Sequence, residues 1–215
     1  MTGIMQALLG GTYGPAGPTT IGEAYGGGFY AGKIAVGGGG TATHYLIVAP
    51  KSTGQTGAKT WGVDGVTTGV TSVIDGPTNS ASLAALGVTY EAATFCENLT
   101  IDVYSDWYLP SKNELEVLYY NLKPTVTSNN TSSGSNANAV SPEPISTNYT
   151  SFSPARTGAG GFRSGETNAF ASGDYWSSTE FNSGSAWVQN FSTGQQAAGN
   201  KIVGFYVRAV RRIPI

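Results

Sequence analysis

Asp106-Trp107-Tyr108-Leu109-Pro110-Ser111-Lys112-Asn113-Glu114-Leu115-Glu116-Val117-Leu118-Tyr119-Tyr120-Asn121-Leu122-Lys123-Pro124 is the stretch that decides the fold class. Ser111 precedes Glu114 by three residues, the S-x-x-E spacing of a capping box, which satisfies two of the amides left open at a helix start. Leu115, Leu118, Tyr119 and Leu122 then recur at i, i+3, i+4 and i+7 as one apolar stripe, and Pro124 ends the run. A helix is therefore predicted directly after Ser111. Upstream, Pro77-Thr78-Asn79-Ser80 precedes a second helical stretch that breaks near Gly87 and reaches about Leu99, with Ala92, Phe95, Cys96 and Leu99 on one face.

Outside these two stretches the pattern is β-like. Residues 29–36 and 43–49 read as strands around a Gly37–Gly40 loop, and both faces of the second are largely apolar, which predicts a central strand. Residues 50–79 are turn-rich, with Trp61 and residues 71–74 as anchors. In the last third, residues 175–180 and 186–192 bracket Asn182-Ser183-Gly184, a hairpin signal, and residues 205–210 alternate into a final strand. Residues 125–153 are rich in Ser, Asn and Thr and are expected to form a long surface loop or an insertion that buries little, not a domain boundary. The reading is a single β-rich α+β domain over residues 21–215.

Composition agrees. The 215 residues are 40% apolar, enough for a core, yet only 11% charged against a usual share of about 25%. Glycine, at 31 residues, favours turns and short strands. A net charge of −2 provides no field for nucleic acid or anionic lipid, and only Lys201, Arg208, Arg211 and Arg212 cluster near the C-terminus. The single cysteine, Cys96, permits no intrachain disulfide.

Residues 1–20 form a distinct leader. Ile4, Met5, Leu8 and Leu9 give one apolar face, and Gly10 to Pro18 then stop any helix as a linker would. Such a face either tucks onto its own domain or docks on another chain, and docking is the reading favoured. The leader lacks the basic region of a signal peptide and is too short to span a bilayer, so no membrane insertion is expected.

Few groups carry chemistry. Gly27-x4-Gly32-Lys33 begins like a phosphate-binding loop, but Ile34 stands where Ser or Thr should hold magnesium, so a Gly-rich turn entering a strand is expected. One histidine, His44, inside a predicted strand, and one cysteine, on an apolar helix face, make neither a zinc site nor a nucleophile–base pair. Asp102, Asp106, Asp174 and Glu180 are too scattered for a calcium loop. They suit a buried ion pair instead, with Arg208 joined to Asp106 or Glu180. Trp107, Trp176 and Trp187 sit among apolar neighbours and read as core rather than as exposed platforms. No cofactor, metal or enzymatic activity is expected.

Three ordered blocks carry a resemblance: residues 106–115, Tyr175-Trp176-Ser177-Ser178-Thr179-Glu180 with Ala186-Trp187, and Tyr206-Val207-Arg208-Ala209-Val210-Arg211. Together with the Gly-rich opening at residues 22–34 they resemble the Lcl C-terminal-domain family. That resemblance implies a C-type-lectin-like fold of twisted antiparallel sheets, two helices and long loops, shared with adhesin tips, phage tail proteins and retroelement-diversified proteins. The Glu-Pro-Asn and Trp-Asn-Asp motifs of animal lectins are missing, and so are the cysteines of the formylglycine-generating enzymes that share the fold. A chain of this kind without an export signal fits a bacteriophage virion protein, assembled in the host cytoplasm. The expected role is tail-associated host-surface recognition, with a glycan or protein as target; a capsid or tail decoration protein is the alternative. Other virion proteins would be met through Ile4, Met5, Leu8 and Leu9, and a homo-oligomer, by analogy with tail fibres a trimer, is expected.

For the ligand-binding surface, alternation along residues 186–192 puts Trp187, Gln189 and Phe191 on one face, taken as core. Val188, Asn190 and Ser192 fall on the other. With Phe181 and Asn182 of the preceding turn, and Gln195 and Gln196 of the next, they form the expected site, because the corresponding positions of the diversified relatives read ligands. An ordinary solvated sheet face is the competing reading.

Overall fold

Leu46, Ile47 and Val48 are fully buried in consecutive positions, which requires cover on both faces of their strand. The computed structural model describes residues 17–143 and 146–215 and supplies that cover. The first sheet holds β1 (Ala24–Tyr25), β2 (Gly28–Ile34), β3 (His44–Val48) and β9 (Val210–Pro214) in that order, all antiparallel, with β3 internal as its pattern predicts. A one-turn helix α1 (Lys51–Gly54) leads to β4 (Gln55–Lys59), the edge of a second sheet. That sheet continues through β8 (Phe205–Arg208), β5 (Asp174–Asn182), β6 (Ser185–Asn190) and β7 (Gln196–Asn200). Its β5–β8 contact is parallel and the rest antiparallel.

The final run, expected as one strand, divides at Ala209. Residues before it pair in the second sheet and residues after it pair with β3. Ala209 is buried, and its amide and carbonyl bond Gly54 O and Ala49 N, so the crossover leaves no open backbone group. β4 and β7, which lack strong apolar alternation, are additional to the sequence expectation.

The second expected helical stretch is two helices, α2 (Gly76–Ala85) and α3 (Glu91–Glu97), parted where Gly87 takes φ +113°. The capping-box helix is α4 (Lys112–Leu122). Glu114 Oε2 accepts from Ser111 N and Oγ at 2.8 and 2.9 Å, and Leu115, Leu118, Tyr119 and Leu122 are all buried. Four α-helices therefore stand among the described residues where two were expected. Trp61, Trp107 and Trp176 share one apolar cluster with Cys96 and Leu83, while α4 anchors a second with Tyr175 and Phe191. The leader residues Ile4, Met5, Leu8 and Leu9 lie outside the described residues.

Two expectations are overturned. Arg208 is 1% exposed but meets no carboxylate among the described residues; it donates to Ala49 O at 2.7 Å, Gln55 Oε1 at 2.9 Å and Asn168 O at 3.4 Å, over the Phe170 ring. Burial pulls it down to about 10. The expected partners are taken: Asp106 by Arg211 at 2.7 Å and Glu180 by Lys201 at 2.6 Å. The second concerns residues 125–153, which bury Asn129, Ser133, Asn136, Asn138, Ala139, Glu143 and Tyr149. Asparagine amides make this possible by bonding main-chain carbonyls: Asn129 reaches Thr150 O and Pro154 O, Asn136 reaches Asn113 O, and Asn138 reaches Ala35 O. The buried Lys123 ammonium adds Thr127 O and Asn129 Oδ1, both at 2.6 Å.

Candidate binding face

Strand parity decides which residues of β6 face outward. Ala186 and Val188 pack into the core with Trp176, and Gly199 of β7 lies so close that a Cβ there would meet Val188 and Trp176 at 2.9 Å. Val188, expected outside, is 5% exposed and belongs to the core. Trp187 and Gln189 share the opposite face, across from Ala198 and Gln196. Gln189 and Phe191 are buried as expected, but Val188 is buried too, against the other cluster, so core lies on both faces of β6, and of Trp187, Gln189 and Phe191 only Trp187 stays partly open. Phe191, just past the end of β6, packs on Tyr175 and Tyr119, on the side of Gln189, whose cross-strand partner is Tyr175.

The 129–150 loop covers Gln189 on this face and leaves Trp187 partly open. There Trp187 lies edge-on to Phe181, ring centres 5.0 Å apart, with the Lys112 ammonium 4.5 Å from its ring. Phe181 is 49% exposed. Burial lowers the Lys112 ammonium from its ordinary range, opposed by the charge of Glu116. Ser132, Ser133, Ser135, Asn148 and Gln196 complete a polar basin of about 180 Å³. Gln196 Nε2 is buried there without a partner among the described residues, while its Oε1 accepts weakly from Gly134 N at 3.4 Å.

The remaining expected residues divide between the two ends of β6. Asn182 stays exposed at the hairpin, its Oδ1 accepting from Gly184 N at 2.9 Å. Asn190 is structural: its Oδ1 accepts from Ser192 N and Thr193 N, and its Nδ2 donates to Asp174. Ser192 is half-buried, with its carbonyl bonded to Thr125, and Gln195 is exposed in the same turn. About five strand steps, roughly 17 Å, separate this turn from Phe181. Of the seven expected residues, Phe181 and Gln196 belong to the basin or its aromatic edge. Trp187, Lys112 and the serines were missed, since their nearness depends on the path of the long loop.

No group of three or more His, Cys, Asp or Glu able to hold a metal occurs among the described residues. His44 is half-buried at the start of β3 beside Thr43, its pKa lowered by burial and by Arg212. Cys96 is buried, and that burial pushes its thiol well up. Gly27 lies in the turn between β1 and β2, Gly32 at the β2 bulge, and Lys33 leans on the Tyr45 ring at 5.7 Å, so the apparent phosphate loop is a Gly-rich turn entering a strand, as expected. No helix among the described residues is long and apolar enough to cross a membrane.

These features define a mixed α+β domain in which a long amide-rich loop frames an aromatic, polar basin on one sheet. The Lcl C-terminal domain family matches residues 60–211, and the chain belongs to that family. The match takes in β5 to β8, α2 to α4 and the whole basin. No curated protein matches the chain.

Proposed function

We propose that this is a bacteriophage virion protein, tail-associated, that presents a C-type-lectin-like domain for host-surface recognition through the Trp187 face. Its family membership and its two sheets joined by long loops support the lectin-like assignment. One observation carries the binding role: Trp187 and Phe181 stay partly exposed beside Lys112 and an unpartnered Gln196 amide, on a strand backed by core on its other face. Partly open aromatics with convergent donors on a rigid support suit recognition of a surface glycan or protein. The reading is non-enzymatic.

A second reading, a capsid or tail decoration protein, draws on a different surface. Val63, Val66, Ile202 and Val203 are exposed on loops joined by the bonds Trp61 N to Lys201 O and Lys201 Nζ to Val66 O. Such an apolar end suits docking on a lattice.

The test is host adsorption by particles carrying Trp187→Ala with Phe181→Ala. Adsorption should fall at least tenfold with assembly and melting unchanged. Normal adsorption removes the recognition reading, and hundreds of copies per virion in place of a few dozen favours decoration.

A further inference from the structure

Lys112 opens α4 beside the basin, and among the described residues that line the basin it is the one charged group. Its ammonium forms no salt bridge or hydrogen bond among the described residues and stands over the Trp187 ring at 4.5 Å. The carboxylate that acts on it is Glu116, one turn along α4. Both oxygens of Glu116 are already taken, by Asn136 Nδ2 at 2.6 Å and Tyr149 Oη at 2.8 Å.

Gln196 brings a second donor without an acceptor. Gly134 N donates to its Oε1 at 3.4 Å, which fixes the amide: turned over, Nε2 would face an N–H. Nε2 therefore stays buried and without a partner among the described residues, a cost that an acceptor from outside would remove. Ser132, Ser135 and Asn148 are exposed around it, and no carboxylate is among the described residues that line the basin. The basin is short of acceptors and of negative charge.

Size and shape narrow the partner. At about 180 Å³ the basin is smaller than the roughly 300–1,000 Å³ that encloses a free small molecule, so it suits one short side chain of a larger partner. The aromatic pair beside it forms a corner, since the Lys112 ammonium stands over the Trp187 ring and Phe181 meets that ring at 87°. A saccharide needs a broad open ring face for stacking, whereas a corner of perpendicular rings takes an apolar side chain. Half-open aromatics are also the anchors that protein interfaces favour.

We propose that the Trp187 basin receives an aspartate or glutamate side chain of a protein partner, with an apolar neighbour of that acid packed into the Phe181–Trp187 corner. This partner chemistry rests on the recognition role proposed above. The acid's oxygens reach Lys112 Nζ and Gln196 Nε2 and supply the acceptors that the domain itself leaves out. The pair forms half out of solvent, where it sets specificity more than on an open surface, and salt weakens it.

The experiment titrates the full chain with two capped dipeptides, acetyl-Leu-Glu-amide and acetyl-Leu-Gln-amide, and with glucuronate as the saccharide arm, following the Trp187 indole N–H by NMR. The glutamate peptide should bind about fivefold tighter than the glutamine peptide, or more, and lose that margin in high salt. Lys112→Met should remove the margin and Lys112→Arg should keep it, with melting unchanged in both. Equal affinities for the two peptides, no shift with either, a margin that survives Lys112→Met, or tighter binding of glucuronate than of the glutamate peptide overturns the acidic partner. Should a variant misfold, the two peptides on the wild type still decide. Adsorption separates the two claims. Normal adsorption of Lys112→Met particles, with adsorption lost in Trp187→Ala/Phe181→Ala, keeps the recognition face and removes the acidic partner; normal adsorption of both removes recognition as well.

Discussion

Replacing Lys201 with methionine isolates the contact that holds the 61–70 loop to the second sheet. The ammonium is fully buried, 2.6 Å from both Glu180 Oε1 and Val66 O, and 4.9 Å from the Trp61 ring. Glu180 also accepts from Thr68 N and Gly69 N at 2.9 Å, so its carboxylate closes the loop from the other side. Lys201→Met fills most of the same volume but leaves Glu180 buried without its cation and Val66 O without its donor. Breaking a buried pair from one side costs about 3–5 kcal/mol. At about 2–4 °C per kcal/mol for a domain of this size, melting should drop by roughly 6–20 °C in calorimetry. Lys201→Met/Glu180→Gln removes the stranded charge as well, so it should recover at least half of that loss. A single variant within about 1 kcal/mol of the wild type refutes the reasoning. So does a double variant in which the two losses simply add.

Further outcomes can be measured on the same protein. Gly32→Ala should cost more than about 2 kcal/mol in denaturant melts, because φ is +131° and a Cβ there would lie 2.5 Å from Asn121 Nδ2 and 3.1 Å from Glu143 Oε1. Arg208→Met should destabilise by about 2–4 kcal/mol, since Ala49 O and Gln55 Oε1 lose their donor; an unchanged midpoint would show that water reaches them. Burial raises Glu180, but its bonds to Lys201, Thr68 and Gly69 outweigh that and hold it below its ordinary pKa. Its stabilisation is therefore complete above the unfolded value of about 4.3 and lost in more acidic solution, so Glu180→Gln should flatten the acid limb of the stability curve. Deleting residues 1–16 should leave melting unchanged and abolish incorporation into particles, and normal incorporation would remove the docking role of Ile4, Met5, Leu8 and Leu9.

Local signals determined as much as local physics allows. The Ser111–Glu114 box and the Leu115–Leu122 stripe specify α4, because a cap and a 3.6-residue period depend only on near neighbours. The Asn182-Ser183-Gly184 turn and the apolar run of β3 are legible for the same reason. Tertiary structure alone decided the rest. Residues 205–214 serve two sheets, since pairing at each position depends on strands more than a hundred residues away. Val188 is buried although it lies opposite Gln189 and Phe191, because core covers both faces of β6, and alternation defines two faces without saying how many of them the core occupies. Arg208 looked like half of an ion pair, yet Lys201 and Arg211 reach the carboxylates first. Most of all, the loop that frames the basin is polar in sequence, yet several of its side chains are buried in the fold. Its asparagines carry their own hydrogen-bond partners inward, and composition cannot show where an amide will find a carbonyl.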